Sequence, residues 1–150
     1  MKSVHLIIVG KLKDKHLEAI ENDYLKRIKN PRLEIHEVKA KAENKDLEAQ
    51  VVLKKIASLS TKPYIITLSE FGSEFHSPKF SKWIYEFIES GKEIFFVICG
   101  AQGPGHELLS QTNEKLSLSK MTMPHRIARI VFVEQFYRAM TINTGHPYHN

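Results

Sequence analysis

The residues best suited to chemistry lie near the C-terminal end of the chain. This stretch contains His125, Arg138 and a tail with the sequence His-Pro-Tyr-His at positions 146–149. Imidazoles exchange protons near neutral pH, arginines bind anionic groups, and tyrosine rings stack on nucleic-acid bases. Together these residue types predict a site that handles a polyanion and also moves a proton.

Basic side chains are in excess in the same region. Between positions 115 and 150 the only acid is Glu134, and the basic residues are Lys115, Lys120, Arg126, Arg129 and Arg138. Arg126 and Arg129 are one helical turn apart, and we expect them either to form a basic edge suited to phosphate or simply to be solvated. Glu134 and Arg138 are spaced i, i+4 and should pair along one helix face.

His125 follows Pro124 at the predicted start of the last helix. A helix start presents free N–H groups and a partial positive charge. These features should lower the pKa of the imidazole and favour its neutral form, which can accept a proton. The alternative is a surface histidine that merely occupies the helix start.

The ring-bearing tail is unexpected, because chain termini are usually polar and frayed. We expect it to lie outside the core, with Tyr148 free to stack on a base. His146 and His149 could instead ligate zinc, but no cysteine is near them and Glu134 is the only acid close in sequence. We therefore predict no metal site.

The amino-acid composition limits the classes of protein to which the chain can belong. The chain has 150 residues, of which 42% are hydrophobic and 26% charged, with a net charge of +5. These values predict one globular domain over 1–150 with an anionic partner such as nucleic acid. The single cysteine, Cys99, excludes an intrachain disulfide and fits a reducing cytoplasm. No segment approaches the roughly 18 apolar residues of a membrane span.

Strand-like and helix-like segments alternate along the chain. We predict strands at 4–9, 33–40, 63–68, 93–99 and 116–121. We predict helices at 15–28, 47–59, 78–90, 106–112 and 124–142, with Asp14 and Ser77 as N-caps of the first and third and a loop at 70–77. This alternation predicts an α/β fold with a mostly parallel sheet and helices on both faces.

A glycine-containing loop, Gly100 to Gly105, joins a predicted strand to a helix, where open α/β sheets bind ligands. Its spacing is not G-x-G-x-x-G, and no Lys-Ser/Thr follows it. A nicotinamide or nucleoside triphosphate site is therefore weakly supported. A plain tight turn and a nucleoside-type ligand held through backbone atoms are both compatible with the loop.

Several motifs resemble the ribosomal RNA large subunit methyltransferase H family, within the SPOUT superfamily of knotted methyltransferases. They are Val-Gly-Lys-Leu-Lys at 9–13, Ile-Thr-Leu at 66–68, Leu-Ser-Leu-Ser-Lys-Met-Thr-Met-Pro-His at 116–125, Val-Glu-Gln-Phe-Tyr-Arg-Ala at 133–139 and the terminal His-Pro-Tyr-His. The resemblance covers the whole length. It implies S-adenosylmethionine-dependent methylation of N3 of a pseudouridine in 23S ribosomal RNA of the assembled ribosome. It also implies a homodimer and a C-terminal trefoil knot.

The resemblance also implies positions for the cofactor. The residues carried over are Leu68, Cys99, Gly100, Leu118, Ser119, Lys120, Met121, Thr122 and Met123. Leu68 and Met121 should supply apolar walls, and backbone groups at strand ends should hold the polar parts. The family usually has Gly-Gly where this chain has Cys99 and Gly100, so Cys99 itself could line the cleft. The family often ends in a basic residue, whereas this chain ends in Asn150.

Methylation at N3 requires removal of the N3 proton, and we expect His125, Arg138, Tyr148 and His149 to serve this reaction. His125 or His149 would accept the proton, Tyr148 would orient the base, and Arg138 would stabilise charge on its carbonyls. Glu134 is an alternative acceptor or the partner that orients Arg138. A non-catalytic RNA-binding module and a metal-dependent hydrolase are the competing classes, and S-adenosylmethionine binding separates them from a methyltransferase.

Overall fold

The computed structural model describes residues 2–42 and 44–149, in which strands and helices alternate strictly. The strands are β1 (Val4–Val9), β2 (Leu33–Val38), β3 (Pro63–Ser73), β4 (Glu93–Ile98) and β5 (Glu114–Leu116). The helices are α1 (Lys15–Arg27), α2 (Lys45–Leu59), α3 (Ser77–Glu89), α4 (His106–Gln111) and α5 (His125–Thr144). None of the helices in the described ranges has the length and apolarity needed to cross a bilayer.

The strands form one sheet in the order β2-β1-β4-β3-β5, and every neighbouring pair is parallel. The predicted α/β class is therefore confirmed. Because all strands run in one direction, their carboxyl ends meet at a single edge of the sheet, where ligands bind in such folds. The trefoil knot that the resemblance implies stays a prediction.

Helices cover both faces of the sheet, as predicted. On one face α1, α3 and α5 pack over alternate residues of β1 and β4, including Leu6, Ile8 and Phe96. On the other face α2 and α4 cover Ile7, Phe95 and their neighbours. The central strands are thus buried on both sides, which explains why they read as continuous apolar runs.

The edge strands differ most from the sequence-based expectation. β3 continues to Ser73, so the predicted loop at 70–77 is partly strand, and β5 covers 114–116 rather than 116–121. The Ser117 N–H still donates to the Ser73 carbonyl at 2.9 Å. Beyond it, Ser117 Oγ donates to the Ser119 carbonyl, and Ser119 Oγ accepts from the Met121 N–H. These local bonds compete with strand pairing and end β5 early.

Other boundaries shift by small amounts, including those of β4 and α3. β4 ends at Ile98, so Cys99 lies just outside the strand. His76 is the N-cap residue of α3, and Ser77 is its first residue, with Oγ donating to Gln135 of α5 at 2.8 Å. The Asp14 cap is confirmed, since its side chain accepts from the backbone N–H groups of His16 and Leu17.

Arg129 of α5 is buried between α1 and β2. Its Nε and Nη2 donate to the two carboxylate oxygens of Glu21 at 2.6 and 2.8 Å, and Nη1 donates to Glu37 at 2.6 Å. Burial opposes ionisation of Glu37, but hydrogen bonding and charge from Arg129 outweigh it and lower its pKa. The expected phosphate-binding edge is therefore wrong for Arg129, and only Arg126 of that pair is exposed.

Replacing Arg129 should destabilise the protein strongly. Arg129→Ala leaves the buried Glu21 carboxylate without its partner, a change that costs about 3–5 kcal/mol in comparable sites. The exposed Arg126→Ala, one turn earlier, is the matched control and should change the free energy of unfolding by no more than about 0.5 kcal/mol. Urea unfolding followed by circular dichroism measures both. Equal effects of the two substitutions would contradict the structural role of Arg129.

Candidate functional site

The cofactor residues implied by the resemblance lie at the carboxyl edge of the sheet. Leu68 is in β3 and is paired with Leu116 of β5. Cys99 and Gly100 directly follow β4, the other neighbour of β3. The segment 118–123 begins two residues after β5 ends. The fold therefore positions all three cofactor segments along one edge.

The segment 118–123 is only partly packed. Leu118 contacts the core beneath α5, together with Leu68. Lys120 Nζ is 3.7 Å from Glu74, and the Met121 side chain is 79% exposed. The expectation that Met121 forms an apolar wall of the cofactor cleft stays a prediction. Its exposure leaves an apolar group available to a ligand or another chain at this edge.

The glycine loop contains a tight turn. The Gly103 N–H donates to the Gly100 carbonyl at 3.0 Å, and Gly103 has a φ of 79°, which favours glycine. Gly105 lies so close to α2 that a Cβ there would be 2.5 Å from the Lys45 carbonyl oxygen. Turn geometry thus accounts for Gly103, and close packing against α2 accounts for Gly105. Gly100 lies instead beside a side chain of α2.

Gly100 lies against the carboxyl group of Glu48. A Cβ on Gly100 would be 2.9 Å from Glu48 Oε1, and Glu48 Oε2 accepts from the Lys41 N–H at 3.1 Å. Burial, reinforced by the charge of Glu48, raises the pKa of the Cys99 thiol to about 12. Cys99 is therefore a neutral thiol and not a nucleophile. Sequence reasoning missed Glu48, because it is one of several acids on a predicted helix.

His125 lies over the carboxyl end of β1. A Cβ on Gly10 would be 3.3 Å from His125 Cε1, so the absent side chain leaves room for the ring. Burial lowers the pKa of His125, and the positive charges of Arg126 and Arg129 act in the same direction. The expected direction is confirmed, with burial as its leading cause. His125 is thus a mainly neutral imidazole at the same edge as the segments that the resemblance implies for the cofactor.

Arg138, Tyr148 and His149 come together at the other end of α5. Arg138 Nε donates to Glu134 at 2.7 Å, which confirms the i, i+4 pair. Arg138 Nη1 is 3.0 Å from His149 Nδ1, and its Cζ lies 4.9 Å from the centre of the Tyr148 ring. Arg138 therefore forms one cluster with Glu134, Tyr148 and His149.

The tail lies at the margin of the core, where Tyr148 packs against it while His146 and Pro147 are exposed. The Tyr148 hydroxyl is 3.2 Å from the Tyr24 hydroxyl, and its ring meets Tyr137 edge to face at 4.7 Å. Burial, the hydrogen bond to Tyr24 and the charge of Glu134 raise the pKa of Tyr148 to about 12. Tyr148 therefore stays protonated and can orient a substrate but not act as a base.

His125 is far from this cluster within one chain. Arg138 lies thirteen positions after His125 in α5, and a rise of about 1.5 Å per residue separates them by about 20 Å along the helix axis. A single base cannot contact both ends. The structure therefore brings the nominated reaction residues together in two groups, one at each end of the same helix.

Comparison with known proteins assigns the family. A family model described as "Predicted SPOUT methyltransferase" matches residues 1–149. The chain is 35% identical to the ribosomal RNA large subunit methyltransferase H of Phocaeicola vulgatus, over 97% of both chains. It is also 35% identical to the enzyme of that name from Clostridium acetobutylicum, over 98% of this chain and 99% of the relative. The chain therefore belongs to the SPOUT methyltransferase family.

Proposed function

We propose that the protein methylates N3 of a pseudouridine in 23S ribosomal RNA of the assembled ribosome, with S-adenosylmethionine as methyl donor. Its relatives carry the name of a large subunit ribosomal RNA methyltransferase. The observation that carries the proposal is the convergence of Leu68, Gly100 and the segment 118–123 at one edge of the parallel sheet. On this proposal the 150 residues act as one domain in the cytoplasm, with the C-terminal segment knotted through a loop of the sheet.

The residues around Gly100 fit the proposed cofactor. S-adenosylmethionine supplies a methyl group on a positively charged sulfonium and carries no phosphate. Gly100 lies beside the buried carboxyl group of Glu48, whose Oε1 is 2.9 Å from the Gly100 Cβ position. A carboxyl group favours a cationic ligand and opposes a phosphate. This chemistry fits the absence of a lysine from the loop.

The reaction residues would divide the remaining tasks. His125 is suited to accept the N3 proton, because its lowered pKa leaves the ring neutral at pH 7. Arg138 would stabilise negative charge developing on the base carbonyls. Glu134 is already bound to Arg138 at 2.7 Å, which favours a role in orienting the guanidinium. Tyr148 and His149 would position the base, and exposed Lys115 and Arg126 would contact RNA phosphates.

The separation along α5 supports a symmetric homodimer with α5 near the interface. In such a dimer the Arg138 cluster of one protomer could face His125 and the cofactor edge of its partner. Two exposed apolar side chains flank the start of α5, Met121 at 79% and Ile127 at 43% exposure. Apolar groups of this kind are buried when chains associate. The composite site would bring His125 of one protomer close to Arg138 of its partner, whereas the two residues are about 20 Å apart within one chain.

The first prediction from the proposed function concerns binding of S-adenosylmethionine. The wild-type protein should bind one equivalent of S-adenosylmethionine per chain in isothermal titration calorimetry. Gly100→Val should weaken binding by about tenfold or more, because its side chain displaces Glu48 and fills the cleft. Ala101→Val, at the exposed next position, is the matched control and should bind normally. A folded Gly100→Val protein with unchanged affinity would remove this loop from the site.

The second prediction concerns His125. Its ring should titrate below the usual pKa of 6.5, and Arg126→Ala should move that pKa upward by removing a positive charge. Because the neutral ring accepts the proton, kcat/KM should fall as the pH is lowered through the pKa of His125. NMR of the ring protons and rate measurements test both points. A pKa at or above 6.5 would contradict the assignment.

The third prediction tests the composite site. His125→Ala and Arg138→Ala should each lower methyl transfer to unmodified ribosomes by about 10²-fold or more. A heterodimer with one substitution in each protomer keeps one intact site and should recover about half of the wild-type rate. Two differently tagged chains, co-expressed and purified together, provide this species.

The oligomer itself gives the control for that experiment. Light scattering should give about twice the chain mass of 17.3 kDa for the wild type and for both variants. A heterodimer as inactive as its parents would place the whole site within one chain. A wild-type mass of one chain at micromolar concentration would contradict the dimer, while leaving cofactor binding as a separate question.

A further inference from the structure

Three potential metal ligands meet on the face of the sheet that α2 covers, away from the residues discussed above. His5 in β1 and Glu34 in β2 are partners in the parallel register, and His36 lies two residues further along β2. His5 Nδ1 is 3.0 Å from His36 Nε2. Glu34 Oε2 is 3.5 Å from His5 Nδ1 and 4.0 Å from His36 Nε2. Three atoms with lone pairs therefore converge on one point.

We propose that His5, Glu34 and His36 form a zinc-binding site, with solvent as the fourth ligand. Zinc binds histidine nitrogen and carboxylate oxygen at about 2.0–2.2 Å, so tetrahedral ligand atoms lie about 3.3–3.5 Å apart. The three observed separations of 3.0, 3.5 and 4.0 Å bracket this value. Ligands already at this spacing need only small side-chain adjustments to enclose the ion.

A hydrogen bond between the two rings does not account for the whole cluster. Such a bond shares one proton between His5 and His36, whereas the Glu34 carboxylate approaches the same two nitrogens from a third side. Burial lowers the pKa of both rings, and the negative charge of Glu34 opposes this shift in each. Glu93 also raises the pKa of His5, whereas the positive charge of Lys55 lowers that of His36. Neutral imidazoles are the form that binds metal. A divalent cation satisfies all three lone pairs at once.

The surroundings hold the ligands in place and leave an approach for the ion. The His5 ring stacks on Phe95 with centres 4.5 Å apart and planes 11° apart, which fixes its orientation. The side chains of His5 and His36 are each 17% exposed, while that of Glu34 is 48% exposed. The carboxylate side of the cluster is thus open to solvent, from which zinc and its water ligand can enter.

The location indicates a structural role for the metal. His5 is near the start of β1, about 16 Å along the strand from Gly10 at the carboxyl edge. The ion would therefore be remote from His125 and Gly100, and it would join the edge strand β2 to the central strand β1. The proposal is independent of the proposed function. The prediction that the protein has no metal site considered the tail histidines and did not anticipate this pairing across two strands.

Zinc titration of the full-length protein, first stripped with a chelator, tests the site. Calorimetry should show one equivalent bound per chain, and Co²⁺ should give the visible absorption of a tetrahedral complex. His36→Gln should weaken Zn²⁺ binding by about tenfold or more. His16→Gln, an exposed histidine on α1, is the matched control and should bind like the wild type. Saturating zinc should raise the wild-type melting temperature by about 5–10 °C.

Glu34→Gln provides a second variant, because its half-exposed side chain can change without disturbing the core. It should also weaken zinc binding, even if His36→Gln fails to fold. Less than one equivalent bound by the wild type would overturn the proposal. So would equal affinities of the wild type and the Glu34→Gln protein, or an equal loss in His16→Gln, since both results indicate adventitious binding to surface histidines.

Discussion

The buried contact of Arg129 with Glu21 and Glu37 determines where α5 lies, and both halves of the candidate site depend on α5. The guanidinium joins α5 to α1 through two bonds of 2.6 and 2.8 Å and to β2 through a third of 2.6 Å. Removing the charges of Arg129 and Glu21 from water is costly unless they are paired, so the contact favours a placement of the helix that keeps both groups bonded. That placement sets His125, one turn earlier, over Gly10.

Much of the fold could be predicted from the sequence because the central strands are apolar on both faces and Asp14 marks the start of α1. The Glu134–Arg138 pair was equally accessible, since its spacing is local. The burial of Arg129 could not be predicted in this way, because its partners Glu21 and Glu37 lie 108 and 92 positions away. An exposed arginine would have the same neighbours in sequence. The early end of β5 reflects serine side-chain bonds that hydrophobic patterns do not reveal.

The candidate site was only partly predictable for a related reason. Motifs identified the segments that lie at the carboxyl edge, but they carried no information on distance within one chain. His125 and Arg138 share a helix, and only its geometry shows that about 20 Å separates them. Tyr24 and Tyr137, which pack against Tyr148, are unremarkable in the sequence. The division of the nominated residues between two parts of one helix is the reason for which we propose a dimer.

The distribution of charge also distinguishes the two proposed ligands. Glu48 is buried beside Gly100 at the carboxyl edge of the sheet, whereas the basic side chains of Lys115, Lys120 and Arg126 are exposed. A buried carboxyl acts over a short range in a low dielectric and favours a small cation. Exposed lysines and arginines act over about 8 Å at physiological salt and favour a polyanion. On the proposed function, opposite charges at different depths would allow one edge of the sheet to bind a cationic methyl donor and an anionic RNA without direct competition.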